Sequence, residues 1–425
     1  MNMKTILKKI GWISDEKVIE SLDQLTKLDD CDAEALANQE IMFLSFNALT
    51  SLSDASAESL AKHKGWMLRL NGLTSLSDAA AESLAKCREP LHLNGLTNLS
   101  DTAVELLAKH KDNLSLDGLT SLSHASAESL ANHEGSLKLN GLTNLSDAVA
   151  ESLAKHKGRI LELNGLTSLS DAAAQALARH EERLNLDGLT NLGETVVESL
   201  AKHKGELSLG GLTSLSDAAA KALVKHEGWL GLGGIKSLSD VTLELLDKHK
   251  GRVSFHGLTS LSDAAAEALA KQEGWLKLNG LTDLSDVSAE LLAKHEGDLF
   301  LNGLTSLSDT AAESLAKHKG DLSLRGLTSL SDASAESLAK NKGWLILSGL
   351  TSLSDVSAEA FGKHKGDLSL RGLTSLSDAS AESLAKHQGT LDLSGLTSLS
   401  DTAVESLIEN KRLISAMVSR VWRGG

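Results

Sequence analysis

Apolar and polar positions alternate along this chain in a pattern that repeats itself. From Leu322 the residues read Leu-Ser-Leu-Arg-Gly-Leu-Thr-Ser-Leu-Ser-Asp-Ala-Ser-Ala-Glu-Ser-Leu-Ala-Lys. Strict alternation over Leu322, Ser323 and Leu324 predicts a short strand with both leucines inward. Gly326 then permits a turn, Leu327 and Leu330 fill the corner, and Ser331 and Asp332 supply side-chain oxygens to the open amides of a helix start. The spacing of Ala335, Leu338 and Ala339 predicts a helix from Ala333 to about Lys342 with one inward stripe, and Gly343 reads as its C-terminal stop.

The mark leucine of this coil, Leu327, has equivalents from Leu25, Leu49, Leu73 and Leu96 through Ile235 to Leu396, at steps of 23 residues with three of 24. The 21 residues Gly320 to Lys340 recur unchanged from Gly366 to Lys386. A fixed period of this length predicts stacked coils, each too small to bury its own apolar face and dependent on its neighbours. The 425 residues therefore count coils rather than globular domains. We expect an N-terminal cap over residues 1–24, about seventeen repeats over 25–409, and a C-terminal capping helix over 410–425. After Asp401 the last helix is expected to run on into it along an apolar stripe of Val404, Leu407, Ile408, Leu413, Ile414, Met417, Val418, Val421 and Trp422, and Lys411, Arg412, Arg420 and Arg423 make it basic, so docking or self-association through it is the alternative use.

The pattern L-x-L-x-G-L-T-x-L-S-D-x-x-A-E-x-L-A-x-H resembles a leucine-rich repeat, closest to the cysteine-containing subtype. Here Gly stands at the first Cys position, His usually at the second, and each coil is about three residues shorter. The resemblance covers roughly Leu25 to Glu409. It implies an α/β fold: a right-handed solenoid, or horseshoe, with a parallel sheet on the concave side and helices on the convex side. It also implies protein binding on the concave face.

Composition narrows the function classes. A net charge of −15 and a pI near 5.5 argue against nucleic acid, whose binders carry a basic face. No run approaches 18 apolar residues and the N-terminus lacks a signal-type apolar stretch, so we expect no membrane contact. Cys31 and Cys87 lie in different coils and offer no disulfide framework, which fits a reducing, cytoplasmic setting. Ser, Asp, Glu and His recur at fixed slots in nearly every coil. Catalysis needs unlike residues brought together once, so we expect no enzyme and no cofactor.

Twelve histidines stand one per coil at the predicted helix end: His63, His110, His133, His156, His180, His203, His226, His249, His295, His318, His364 and His387. A row with one imidazole per coil does not converge on a metal, so each is expected buried, neutral and donating to an open carbonyl. Cys87, Gln272 and Asn341 take the same slot in three coils. Asn71, Asn94, Asn140, Asn164, Asn279 and Asn302, before the turn glycine, are expected to bond to backbone.

The strand-face positions are mostly small or polar until the later coils, where Trp229, Trp275, Phe300, Trp344 and Ile346 interrupt them. Arg252, Lys277, Asp298, Asp321 and Arg325 lie among them. Exposed aromatics mixed with charges are the composition of interaction hot spots. We therefore place a protein-partner site on Trp229, Trp275, Phe300, Trp344, Ile346, Asp321 and Arg325. The alternatives are that each Trp folds over the coil edge as a lid, as Trp66 in the corresponding turn suggests, that the tryptophans bind a glycan, or that the near-identical coils form a spacer or self-assembling scaffold with no dedicated ligand.

Overall fold

The computed structural model describes residues 22–39, 41–246 and 248–408. Most of the N-terminal cap and the whole C-terminal helix expected from sequence lie outside them. The described residues form two compact units, one running to Leu212 with Lys225–Gly231, the other comprising Thr213–Val224 and the chain from Leu232.

In the first unit nine short strands, from Phe43–Ser45 to Leu230–Gly231, pair each with the next, all parallel. In the second, six strands from Leu276–Lys277 to Leu391–Asp392 do the same. A parallel neighbour requires the chain to cross back, and a helix makes that crossing in every coil. Seventeen helices are present among the described residues, most of seven residues. Leu322, Leu324, Leu327, Ala335 and Leu338 have no exposed surface, and their equivalents stack coil upon coil into the core.

The helix of this coil is shorter than its apolar spacing predicts, spanning Asp332–Leu338. Ala339 becomes the C-cap and is half-buried, while Ser334 takes the inward place and is fully buried. A buried hydroxyl must be bonded. The Ser334 hydroxyl donates to Asp309 Oδ1 of the preceding coil at 2.7 Å. Ser331 caps its own helix, accepting from the Ser334 amide at 3.0 Å, and its hydroxyl also donates to Asp309. The two residues expected to cap together thus divide the work: Ser holds its own helix, and Asp holds the next coil. The same link joins Asp30 to Ser56, Asp101 to Ser126, Asp332 to Ser357 and Asp355 to Ser380. Those carboxyls are held below their ordinary pKa by the hydroxyl bonds.

Two irregular coils show the rule by breaking it. His124 stands in the Asp place, and the next coil's Ser146 caps at a long 3.3 Å. Gly193 makes no side-chain cap bond, while Thr195 Oγ1 replaces the missing serine as donor to Asp171 at 2.5 Å.

The glycines do not serve backbone freedom as expected. Among the described residues only Gly274 has a positive φ, of 82°. Gly326 and Gly343 are required because the adjacent coil is too close. A Cβ on Gly326 would lie 2.4 Å from the Asn302 carbonyl oxygen, and one on Gly343 would lie 2.3 Å from that of Gly320. The asparagines before the turn also look to the neighbouring coil. Asn71 Oδ1 accepts from the Asn94 amide at 3.2 Å, and Asn140 Oδ1 from the Asn164 amide at 2.9 Å.

Candidate functional site

Each histidine of the ladder sits where its helix has just ended, and all twelve are buried, with at most 9% of their surface exposed. In the first unit His110, His133, His156, His180, His203 and His226 form a column with ring centroids 5.8–6.2 Å apart. In the second unit His295 stacks on His318 and His364 on His387. The carbonyl bond expected of every ladder histidine is made by some of them, whereas both ring nitrogens of His110, His133, His156, His180, His203 and His318 are buried without a hydrogen-bond partner among the described residues. His226 Nδ1 lies 2.7 Å from the His203 carbonyl oxygen, and His295 Nε2 lies 2.8 Å from that of Gly274. His364 Nδ1 reaches the open carbonyl of Ala339, where the preceding helix ends, at 3.1 Å.

Burial makes the charged imidazole costly. Desolvation, with smaller repulsion from neighbouring imidazoles, pushes His156 down to about 3 and His203 to about 4. It also lowers His110, His133, His180, His318 and His387. The substituted slots confirm what the position demands. Asn341 Nδ2 donates to the His318 carbonyl at 2.8 Å and its Oδ1 accepts from the Gly343 amide at 2.9 Å. Cys87 is buried and its thiol is raised to about 12 by desolvation and the nearby Glu89. Glu89, itself buried, meets His63 Nδ1 at 3.1 Å. Among the described residues no three His, Cys, Asp or Glu side chains converge as a metal site would require.

The predicted binding residues divide between the two units. Trp229 belongs to the first unit and the other six to the second. The Trp229 ring lies over its own strand, so close that a Cβ on Gly231 would meet it at 2.6 Å, and the Arg183 guanidinium covers it at 5.1 Å. It is half-buried, a covered ring close to the lid expected of these tryptophans. Trp66 is 66% exposed and packs edge-on against Phe43.

Trp275 is different. Its strand carries Lys277 where Trp229 has a glycine, and the ring remains 60% exposed. Arg252 approaches it at 5.9 Å and Lys277 at 5.4 Å, and Lys277 also lies 5.6 Å from Phe300, its register partner on the next strand. Trp275, Phe300, Arg252 and Lys277 therefore form one cation and aromatic cluster. The sequence marks Arg252 and Lys277 only as charges near the aromatics; the structure makes them the links that hold the rings.

The remaining predicted residues are arranged otherwise. Trp344 is 44% exposed, and its amide donates to Asp321 Oδ1 at 2.8 Å. Asp321 thereby braces the neighbouring coil as well as facing solvent. Arg325 is exposed, its amide held by Asn302 at 3.2 Å. Ile346, expected as an exposed apolar residue, is only 4% exposed. It lies in register between Ser323 and Ser369, whose short side chains let it settle against the sheet.

A short strand, a tight turn and a helix in each described repeat of 23 or 24 residues, with leucines stacked between, decide the architecture. The coils build a leucine-rich-repeat solenoid fold. No protein-family model matches the sequence, and no curated protein does. Among solved structures, these leucine-rich repeats are similar to a leucine-rich-repeat protein of Leptospira interrogans, at 19% identity and TM-score 0.45, over 91% of this chain and 97% of that one. TLR13, in its complex with ssRNA13, matches at 18% identity and TM-score 0.45, over 87% of this chain and 62% of TLR13. An internalin of Listeria monocytogenes matches at 15% identity and TM-score 0.34, over 89% and 94% of the two chains. Likeness at this level carries nothing about ligands; the repeat assignment rests on the coils themselves. No described helix is long and apolar enough to cross a membrane.

Proposed function

We propose that this chain is a non-enzymatic protein-interaction scaffold whose strand face, centred on Trp275, Phe300 and Trp344 of the second unit, receives the partner. The observation that supports it is exposure without structural need. Leucines, caps and ladders account for the stability of each coil, and the neighbouring coils carry Arg252, Asp298, Asp321 and Asp367 where Trp275 and Trp344 stand 60% and 44% exposed. Large aromatics beside charges on an open face are what interaction hot spots are made of. The repeated Ser and Asp, residue types that could do chemistry, are spent on bonds between coils, and the ladder histidines are buried.

Affinity capture from lysate of the source cell tests the reading, with the protein compared against a folded Trp275→Ala/Trp344→Ala double variant. A partner retained by the first and lost by the second is the expected result. Equal retention by both would remove the strand face from the account. Self-association in place of any partner would instead support a spacer or self-assembling scaffold, as the unchanged return of Gly320 to Lys340 at Gly366 to Lys386 would suit.

A further inference from the structure

The chain contains its own control for what a basic residue on the strand face does. Lys138 is followed one coil later, at the same register position, by Glu162, and the two pair at 3.0 Å. Arg183 is followed in the same way by Glu206, at 3.4 Å. In the second unit the cations return and the carboxylates do not. The position one coil after Arg252 is Trp275, and the register partner of Lys277 is Phe300. Among the described residues neither Arg252 nor Lys277 has a carboxylate within ion-pair distance. Arg69, opposite His92, also lacks one, but no Trp or Phe ring lies against it.

Arg252 and Lys277 both lie within 6 Å of the Trp275 ring centre, two like charges at one indole without a carboxylate to neutralise them. His256 is exposed, with its Nδ1 2.5 Å from Ser254 Oγ, and desolvation and then Lys277 hold it below its ordinary pKa, so it favours the neutral form and leaves the charge to Arg252 and Lys277. An anion placed there relieves the repulsion and gains two charge-assisted bonds, while the exposed Trp275 face offers apolar contact beside it. The anion is of limited size and charge. Asp298 and Asp321 follow in the next two coils, and the chain as a whole carries −15, so a polyanion would meet repulsion on leaving the cluster.

We propose that this cluster receives an acidic peptide segment, one Asp or Glu carboxylate seated between Arg252 and Lys277 and an adjacent apolar side chain packed against Trp275 and Phe300. The inference rests on the strand face being the protein-binding one. In effect the partner supplies the carboxylate that Glu162 and Glu206 supply within the first unit.

Selection of random linear peptides displayed against the full chain, followed by anisotropy titration of the enriched sequences, tests it. The expected peptides carry Asp or Glu next to a large apolar residue. They lose affinity by about tenfold on Lys277→Gln or Arg252→Gln, or when their own acid is replaced by its amide. All three positions altered in the protein, including Trp275→Leu, are on the surface, and circular dichroism and melting confirm each fold. Peptides that need Trp275 but carry no acid and ignore Lys277→Gln would overturn the acidic ligand while leaving the strand-face reading standing. A selection that yields no peptide dependent on Trp275 would overturn both. Oligodeoxythymidine competing at the same residues more tightly than any peptide would assign the cluster to single-stranded nucleic acid and also overturn the proposal.

Discussion

Mild acid should destabilise this protein through its histidine column, and the size of the effect follows from burial. An imidazole that is neutral when folded and free to protonate when unfolded makes the unfolded state bind more protons, so stability falls as pH drops below the ordinary value of about 6.5. His156, at about 3, and His203, at about 4, both stay neutral in the folded protein at pH 5.5. Between pH 7.5 and 5.5 each therefore costs about 1.3 kcal/mol, nearly independent of how far below 5 its folded value lies. The pair costs about 2–3 kcal/mol, or roughly 5–10 °C in Tm for a unit of this size. His110, His133 and His180 in the same column shift in the same direction and add to it. The bridging aspartates do not confuse the result, because their depressed values place their own losses at lower pH. Thermal melts at the two pH values measure the drop. A His156→Asn/His203→Asn variant is the control, since Asn341 shows that asparagine fits the slot with both its polar atoms bonded. That variant should lose about 2–3 kcal/mol of the pH dependence. A Tm that does not move between pH 7.5 and 5.5, or a pH dependence unchanged in the variant, would refute neutral burial as the state of the column.

Other parts of the coil give separate expectations. Leu324→Ala, at a position with no exposed surface, should cost about 2–5 kcal/mol in urea titration and broaden the transition at that coil. Ser331→Ala removes a cap bond and should cost about 1 kcal/mol by the same measurement. His124→Asp restores the acceptor that Ser146 lacks and should raise stability by about 1 kcal/mol. Gly343→Ala places a Cβ against the Gly320 carbonyl and should cost about 1–3 kcal/mol, whereas Gly193→Ala, with open space around it, should be nearly neutral.

The period of the coil, its strand, its serine cap and the burial of its histidines are legible in the sequence because each depends on residues a few places apart. What was not legible depends on residues one coil away. Asp309 reads as part of a cap on its own helix, yet it serves Ser331 and Ser334, because the rise between coils brings that carboxylate under the next helix start. Gly326 and Gly343 read as turn and stop signals, yet the space for their side chains is filled by a neighbour's carbonyl. Ser334 goes inward in place of Ala339 because the helix stops at Leu338, and a polar residue is tolerated there only through the Asp309 bond. Ile346 reads as exposed because alternation assigns it to the open face, but small neighbours on both strands let it bury. For the candidate site, the aromatics were visible by type, while the decisive feature, two cations without carboxylates, needed the register of adjacent strands.

In a chain of near-identical coils, a departure from the period separates the demands of the fold from everything else. Some departures are compensated by a neighbour. Asn341 makes the slot's bonds without an imidazole, Thr195 takes over from the serine that Gly193 displaces, and Glu89 reaches His63 in the coil where Cys87 stands. Compensation of this kind means the fold required the interaction and recovered it by other atoms. Arg252 and Lys277 fall in the other group. Their counterparts Arg183 and Lys138 have glutamates, their own positions one coil on are Trp275 and Phe300, and no other side chain among the described residues brings the missing carboxylate. Arg69 is also left without a carboxylate, but only Arg252 and Lys277 set two cations against one exposed indole, which is the physical reason to look for their complement in a partner.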